Sequence, residues 1–387
     1  MKKLLIITHT FSNGGGAEKV LNTLINELSK SYQIDIIERW EDNSCVYDLP
    51  ENVHRLKSMT YFPHYVKEKG LNVIYWNLHR LFLSVLTVLF PGLVYRYYIK
   101  GKYDFEISFN YLYPALLIAN STNKKSKKIA WNHGDLYDLD YKKNKGVNQF
   151  VQWIKYNIEK RALKKIDSIV AISQNTYNSI IQLFPFTNAR LCVISNGYNL
   201  DQIRIESKKE KVKNVDNFRL ISLGRLDYNK NVISQIKAVK IILNERKLGV
   251  ELHVFGQGEE ECRLKKETGE YLNKNIFLHG FTTSPYSQIK DSDVLLMTSY
   301  SEGFPTVLIE AICLGVPVIA TKVGGVNEIV IDGVNGLIVD NDVNVIANKI
   351  CYMATHYEQF TNHIEDTVIQ YTADNWGKNV KNLLESL

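Results

Sequence analysis

Glu302-Gly303-Phe304-Pro305-Thr306-Val307-Leu308-Ile309-Glu310 places one carboxylate in a loop, a Gly-Phe-Pro turn behind it, and a second carboxylate eight residues on. The apolar run Val294-Leu-Leu-Met297 precedes it, and Thr298-Ser-Tyr-Ser-Glu302 leads in. Residues 307–314 have helical character and stop at Gly315-Val316-Pro317. The order is strand, loop, helix start. A helix start offers unpaired backbone N–H groups and the positive end of a dipole, which suits a phosphate. On a helix, eight residues span roughly 12 Å at 1.5 Å per residue. A glycosidase pair stands closer, at about 5–5.5 Å or 6.5–9.5 Å. The two carboxylates therefore fit the two ends of one long ligand better than a single bond.

The same alternation runs outward in both directions. Apolar strand-like runs fall at 4–8, 34–37, 105–110, 128–132, 168–172 and 191–194, then at 219–223, 251–255, 276–278, 294–297, 318–320 and 336–339. Helical stretches such as 18–28 and 151–165 fill the gaps. This predicts an α/β chain with two doubly wound, parallel-stranded, Rossmann-like domains. The boundary falls near 198, before a polar stretch that includes Lys208-Lys-Glu-Lys-Val-Lys213. Residues 1–198 form the first domain and 199–370 the second. The segment 371–387 carries Trp376, Val380, Leu383, Leu384 and Leu387 at helical spacing.

The 387 residues, 45% hydrophobic and 23% charged, suffice for two full cores. The five cysteines are scattered, odd in number and never in C-x-x-C spacing. That argues against a disulfide frame or a zinc site and for a reducing, cytoplasmic compartment. The N-terminal apolar run is too short for a signal peptide and reads as a buried strand. A net charge of +6 is mild, and no nucleic-acid signature accompanies it.

Further chemical motifs fall at strand ends. Gly14-Gly15-Gly16-Ala17-Glu18 opens the first helix, where glycine lets the backbone approach a ligand. Glu38 follows the second strand and raises a dinucleotide-binding alternative, although the spacing is not G-x-G-x-x-G. Gly224-Arg225-Leu-Asp-Tyr-Asn-Lys230-Asn231 sets a guanidinium fork and a point charge across one turn, both within reach of a diphosphate. His133 sits at a strand end in Trp131-Asn132-His133-Gly134-Asp135. Ser195-Asn196-Gly197, Phe255-Gly256-Gln257-Gly258 and His279-Gly280-Phe281 are either ligand edges or plain tight turns.

The 302–320 segment, with Glu310-Ala-Ile-Cys-Leu-Gly-Val-Pro-Val-Ile-Ala320 completing it, resembles the E-x7-E motif of the retaining nucleotide-sugar glycosyltransferases of glycosyltransferase family 4. Gly-Gly-Ala-Glu18 and Gly224-Arg225 through Lys230-Asn231 are similar to elements of the same family. The resemblance implies the GT-B fold, a ligand crevice between two lobes, and a last helix returning to the first domain. It implies Arg225 and Lys230 neutralising a leaving nucleoside diphosphate, Glu302 on the donor sugar, Glu310 on the ribose and His133 at the reaction centre. Gly15, Gly16, Asn196, Gly256, Phe281, Gly303, Phe304, Pro305 and Thr306 would line the substrates. No metal or other cofactor is implied, in keeping with the lack of an Asp-x-Asp sequence. The expected reaction moves a hexose or N-acetylhexosamine from an NDP-sugar, UDP-linked, to a glycan or polyprenyl-diphosphate-linked acceptor during cell-surface polysaccharide synthesis.

Residues 61–102 stand apart. Leu81-Phe-Leu-Ser-Val-Leu-Thr-Val-Leu-Phe90 is flanked by Lys67, Lys69, Arg80, Arg96, Lys100 and Lys102, with Tyr75, Trp76, Tyr95, Tyr97 and Tyr98 interleaved. The run is too short to span a bilayer. It reads either as a segment lying on an anionic membrane surface or as a buried helix with a basic end. Two other enzyme classes stay open at this level, an NDP-sugar epimerase of the same architecture and an NAD-dependent oxidoreductase. A binding module without activity is the third alternative.

Overall fold

The computed structural model describes residues 1–12, 16–41, 47–61, 71–134, 136–143, 145–208, 217–246 and 248–387. The chain divides into two compact units, Met1–Tyr198 with Ala373–Leu387, and Asn199–Thr372.

The first unit runs β1 (Lys2–Thr8), α1 (Gly16–Ser29), β2 (Tyr32–Glu38), β3 (Trp40–Glu41), β4 (Val53–Arg55) and β5 (Thr60–Tyr61). It continues with α2 (Leu71–Leu89), α3 (Pro91–Tyr98), β6 (Phe105–Ser108), α4 (Tyr113–Ala119) and β7 (Lys127–Asn132). It ends with α5 (Gly146–Leu163), β8 (Ser168–Ala171), α6 (Gln174–Leu183) and β9 (Arg190–Val193). Seven of these strands form one sheet in the order β4-β2-β1-β6-β7-β8-β9. Every pairing in it is parallel. Leu4, Leu5, Ile6 and Ile7 are all fully buried, as expected of a central parallel strand covered on both faces.

The second unit runs α7 (Leu200–Glu206), β10 (Phe218–Leu223), α8 (Val232–Ile241), β11 (Val250–Phe255), α9 (Glu261–Thr268), β12 (Ile276–Gly280) and α10 (Pro285–Lys290). After these come β13 (Val294–Met297), α11 (Thr306–Cys313), β14 (Val318–Thr321), α12 (Val326–Ile329), β15 (Gly336–Val339) and α13 (Val343–Thr355). Its six strands are ordered β12-β11-β10-β13-β14-β15, again parallel throughout. The last helix, α14 (Ala373–Glu385), belongs to the first unit. There Trp376 is buried and meets Trp131 of β7 edge-to-face, with ring centroids 5.9 Å apart.

All twelve strands expected from the sequence are present. The strand expected over 105–110 ends at Ser108, because Asn110 turns out of the ladder. Its Oδ1 accepts from the His9 N–H at 2.8 Å and the Thr8 hydroxyl at 2.9 Å. Strands β3, β4 and β5 have two or three residues each, too few to show a period.

The buried-helix alternative for 61–102 holds for part of the described stretch: Leu83, Val94, Tyr95 and Ile99 sit in the first unit's core, and only the outer face of α2 departs from it. Along α2, Leu83 and Thr87 face inward, while Leu78, Leu81, Phe82, Val85 and Leu89 are exposed. Lys67 and Lys69 lie outside the described residues. Among those described, no single helix is long and apolar enough to cross a membrane; the pair Ile74–Leu89 and Pro91–Tyr98 passes together but is bent by 116°.

Candidate active site

The carboxyl ends of β10 and β13 carry a connected polar cluster. After β10 the chain makes a single 3-10 turn, Tyr228–Lys230, capped by Asp227, whose Oδ1 accepts the Lys230 N–H at 3.1 Å. The other Asp227 oxygen lies 3.3 Å from the Arg225 guanidinium, which is otherwise in solvent at 83% side-chain exposure. Asn231 follows in the left-handed region at φ 48°, a conformation asparagine tolerates better than most residues. Its side chain donates to Asn341 Oδ1 at 2.7 Å, and its carbonyl accepts from Thr298 Oγ1 at 3.0 Å. These bonds fix the turn against the end of β13. They aim Lys230 at the next loop, where its Nζ lies 2.6 Å from Glu302 Oε1. Two further ties close the arrangement: the Tyr300 N–H donates to Asn229 O at 2.8 Å, and the Asn229 side-chain Nδ2 donates to Ser301 O at 2.9 Å.

Behind Glu302 the Gly-Phe-Pro turn is held from inside. The Phe304 side chain is buried and packs edge-to-face on Tyr371, with centroids 5.4 Å apart. It therefore lies in the core, and a ligand can use only its backbone. The carbonyl of Gly303 accepts from Gly325 N–H at 2.9 Å. Gly324 has φ +51°, and a Cβ there would stand 1.8 Å from the Glu302 carbonyl oxygen, so only glycine fits. Pro305 precedes α11, and no side chain caps the helix, so the first-turn N–H groups from Thr306 onward are not met by a side chain. Glu310 lies farther along α11, half-buried. Burial, and then the Glu310 charge, raises the phenol of Tyr286 in α10 above its usual range. No sequence motif pointed to Tyr286.

Gly256, after β11, lies in the same strand-end layer. Its N–H donates to Gly280 O at 2.8 Å, and a Cβ on it would stand 1.8 Å from Gly224 O. The three strand ends β10, β11 and β12 are thus laced together at their glycines. Phe281 projects from this layer at 72% exposure.

In the first unit, His133 follows β7 with its ring 4.1 Å from Phe109 and stacked on Trp131 at 6.4 Å. Burial lowers its pKa to about 3, so the imidazole is neutral, and its Nε2 has no hydrogen-bond partner. Asn196 is buried with an unpartnered Oδ1. Gly16 opens α1. Gly15 and Asp135 lie outside the described residues. Glu38 cannot serve a dinucleotide ribose. It is 1% exposed, accepts from Phe11 N–H at 2.7 Å and Ser12 Oγ at 2.9 Å, and is paired with Arg55. The oxidoreductase alternative loses its acidic residue.

Two family models tile the chain. The description Glycosyltransferase Family 4 matches residues 14–202, and Glycosyl transferases group 1 matches residues 203–385. The fold and the matches define a glycosyltransferase of GT-B architecture. The chain belongs to the glycosyltransferases that join a family 4 first domain to a group 1 second domain. An uncharacterized glycosyltransferase of Methanocaldococcus jannaschii is 27% identical over 95% of this chain and 93% of its own. A Campylobacter jejuni protein, named GalNAc-alpha-(1->4)-GalNAc-alpha-(1->3)-diNAcBac-PP-undecaprenol alpha-1,4-N-acetyl-D-galactosaminyltransferase, is 24% identical over 97% of this chain and 94% of its own. Among solved structures, Anabaena Alr3699/HepE in complex with UDP-glucose superposes with a TM-score of 0.69 at 18% identity, covering both chains fully.

Proposed function

We propose that this glycosyltransferase moves a hexose or N-acetylhexosamine from a UDP-sugar to a hydroxyl of a glycan or lipid-linked oligosaccharide, with retention at C1, in building a cell-surface polysaccharide. The observation that carries this reading is the Lys230–Glu302 ion pair, set beside the uncapped start of α11 with Arg225 nearby in sequence and exposed. The names of the Anabaena and Campylobacter proteins supply the donor and acceptor classes.

In this mechanism the bond from C1 to the diphosphate breaks with its electron pair leaving on the phosphate oxygen. Arg225, Lys230 and the α11 N–H groups hold that growing charge, so no metal is required. Glu302 orients Lys230 and meets the donor sugar hydroxyls, and Glu310 holds the ribose. His133, neutral, contributes a polar edge at the sugar. The acceptor hydroxyl attacks from the side the diphosphate leaves, and its proton passes to a phosphate oxygen. Release of UDP from UDP-sugars, with and without a glycan acceptor, tests this. Arg225→Ala and Lys230→Ala are expected to cut turnover by about 100- to 1000-fold with the fold intact. Near-normal rates would remove the diphosphate role.

The outward face of α2 and α3 reads as a peripheral docking face on the cytoplasmic side of an anionic membrane. Helix α5 also exposes Val147, Phe150 and Trp153. Arg161 of α5 donates to Val88 O of α2 at 3.2 Å, joining the two helices.

A further inference from the structure

Arg39 follows β2 and is only 1% exposed. No carboxylate among the described residues pairs with it. Its Nη2 donates to Ser84 Oγ at 2.6 Å, and its guanidinium carbon lies 3.6 Å from the centre of the Tyr113 ring. Its Nε and Nη1 are buried and have no hydrogen-bond partner. A buried ion with unfilled donors is unfavourable unless another interaction offsets it. The surroundings add positive charge. Trp40 is flanked by Arg39 at 5.4 Å and by Arg80 of α2 at 4.7 Å. His9, just past β1, stacks on the same ring at 5.1 Å, and its Nδ1 is also buried without a partner. The nearest acid in sequence, Glu38, is taken up by Arg55, Phe11 and Ser12.

We propose that Arg39, Arg80 and His9, arranged around Trp40 at the carboxyl ends of β1 and β2, bind a phosphate or diphosphate group carried by the acceptor. This rests on the acceptor reading above and names the group that the first unit recognises. The multiple charge of such a group matches two guanidiniums better than a single carboxylate does, and guanidinium donors suit phosphate oxygens. Arg80 and Ser84 lie on α2, whose opposite face exposes Leu78, Leu81, Phe82 and Val85. The same helix thus carries the phosphate-facing arginine on one side and an exposed apolar face on the other, which a lipid surface would cover. Burial and the Arg39 charge keep the pKa of His9 at about 3, so its ring adds no third charge to the two guanidiniums.

Titration calorimetry on the full chain tests the site. UDP binding is recorded first, and UDP is then held saturating so that the second unit's anion site is filled. Three probes follow: inorganic pyrophosphate, geranylgeranyl diphosphate in neutral detergent micelles, and geranylgeraniol in the same micelles. Both phosphate-bearing probes are expected to bind and the alcohol is not. Arg80→Gln is expected to weaken both by about tenfold or more. Tighter binding of the lipid diphosphate than of pyrophosphate assigns a lipid-borne group, and equal binding assigns a soluble one. Arg39→Met separates ligand binding from a structural role. Without phosphate it should be at least as stable as wild type, because it removes a buried ion with unfilled donors. Pyrophosphate should raise the wild-type Tm and leave that of Arg39→Met unmoved. Unchanged affinity in Arg80→Gln, or geranylgeraniol binding as tightly as its diphosphate, would overturn the proposal. Failure of UDP to bind would count against the donor reading instead, and the phosphate arms would still be read.

Discussion

Lys230 Nζ and Glu302 Oε1, 72 residues apart in sequence, meet at 2.6 Å between the loops that follow β10 and β13. Both side chains are largely covered, at 26% and 13% exposure. Each loop is braced separately, one by Asp227 and Asn231, the other by Gly324 and Gly325, so the pair is positioned from both sides. If Lys230 acts on the diphosphate while Glu302 orients it, the two act as a unit. Lys230→Ala, Glu302→Gln and the double variant should then be non-additive, with the double variant losing little more than Lys230→Ala alone. Multiplicative losses in kcat/KM would show independent roles.

Arg225 sits in solvent beside Asp227, and such exposed pairs contribute about 0–1 kcal/mol to stability. Arg225→Ala should therefore leave the denaturation midpoint nearly unchanged while weakening UDP-sugar use. A large loss of stability would make it a structural residue.

Gly324→Ala places a methyl against the Glu302 carbonyl oxygen in a backbone region glycine prefers. The Glu302 loop must move to relieve the clash. UDP affinity is expected to fall about tenfold or more, read by thermal shift or calorimetry. Wild-type affinity would show that the loop geometry is unimportant.

Much of this arrangement was legible before the fold was known. The strands are short, apolar and separated by helical spacing, so the parallel architecture follows from periodicity. Arg225, Lys230, Glu302 and Glu310 stand in dense local patterns, and their loops fall at strand ends. Pairing is different. Nothing local announces that Lys230 will meet Glu302, because strand order decides it. The Phe304 side chain looks like a ligand wall in sequence and is a core residue, because Tyr371, far along the chain, closes over it. Arg39, Trp40 and His9 lie in no motif; an arginine directly after an apolar strand was the one available signal.

Glu159 of α5 is fully buried, and its Oε2 accepts from Leu112 N–H at 2.6 Å at a positive-φ residue. Burial raises its pKa from 4.5 to about 7. A carboxyl that binds its proton more tightly when folded favours the folded state at low pH. Its contribution is full below pH 4.5, declines as pH rises toward 7, and is gone above that. A shift of this size is worth about 3 kcal/mol. Glu159→Gln should remove this part of the slope, so the wild-type-minus-variant stability difference should fall between pH 5 and pH 8 in urea titrations. A pH-independent difference would contradict the shift.

Leu81, Phe82 and Val85 are exposed along α2. Leu81→Ser with Phe82→Ser should lower partition onto vesicles containing phosphatidylserine by about 30-fold or more, at about 1 kcal/mol or more per apolar side chain withdrawn. Unchanged partition would remove α2 from the membrane-facing surface.

The most direct measurement is a crystal structure of the protein with a non-hydrolysable UDP-sugar. The diphosphate is expected within hydrogen-bond distance of Lys230 Nζ and the Arg225 guanidinium, against the first turn of α11, with the ribose hydroxyls on Glu310. A diphosphate lodged elsewhere, or a nucleotide bound while Lys230 and Glu302 remain paired and untouched, would contradict it.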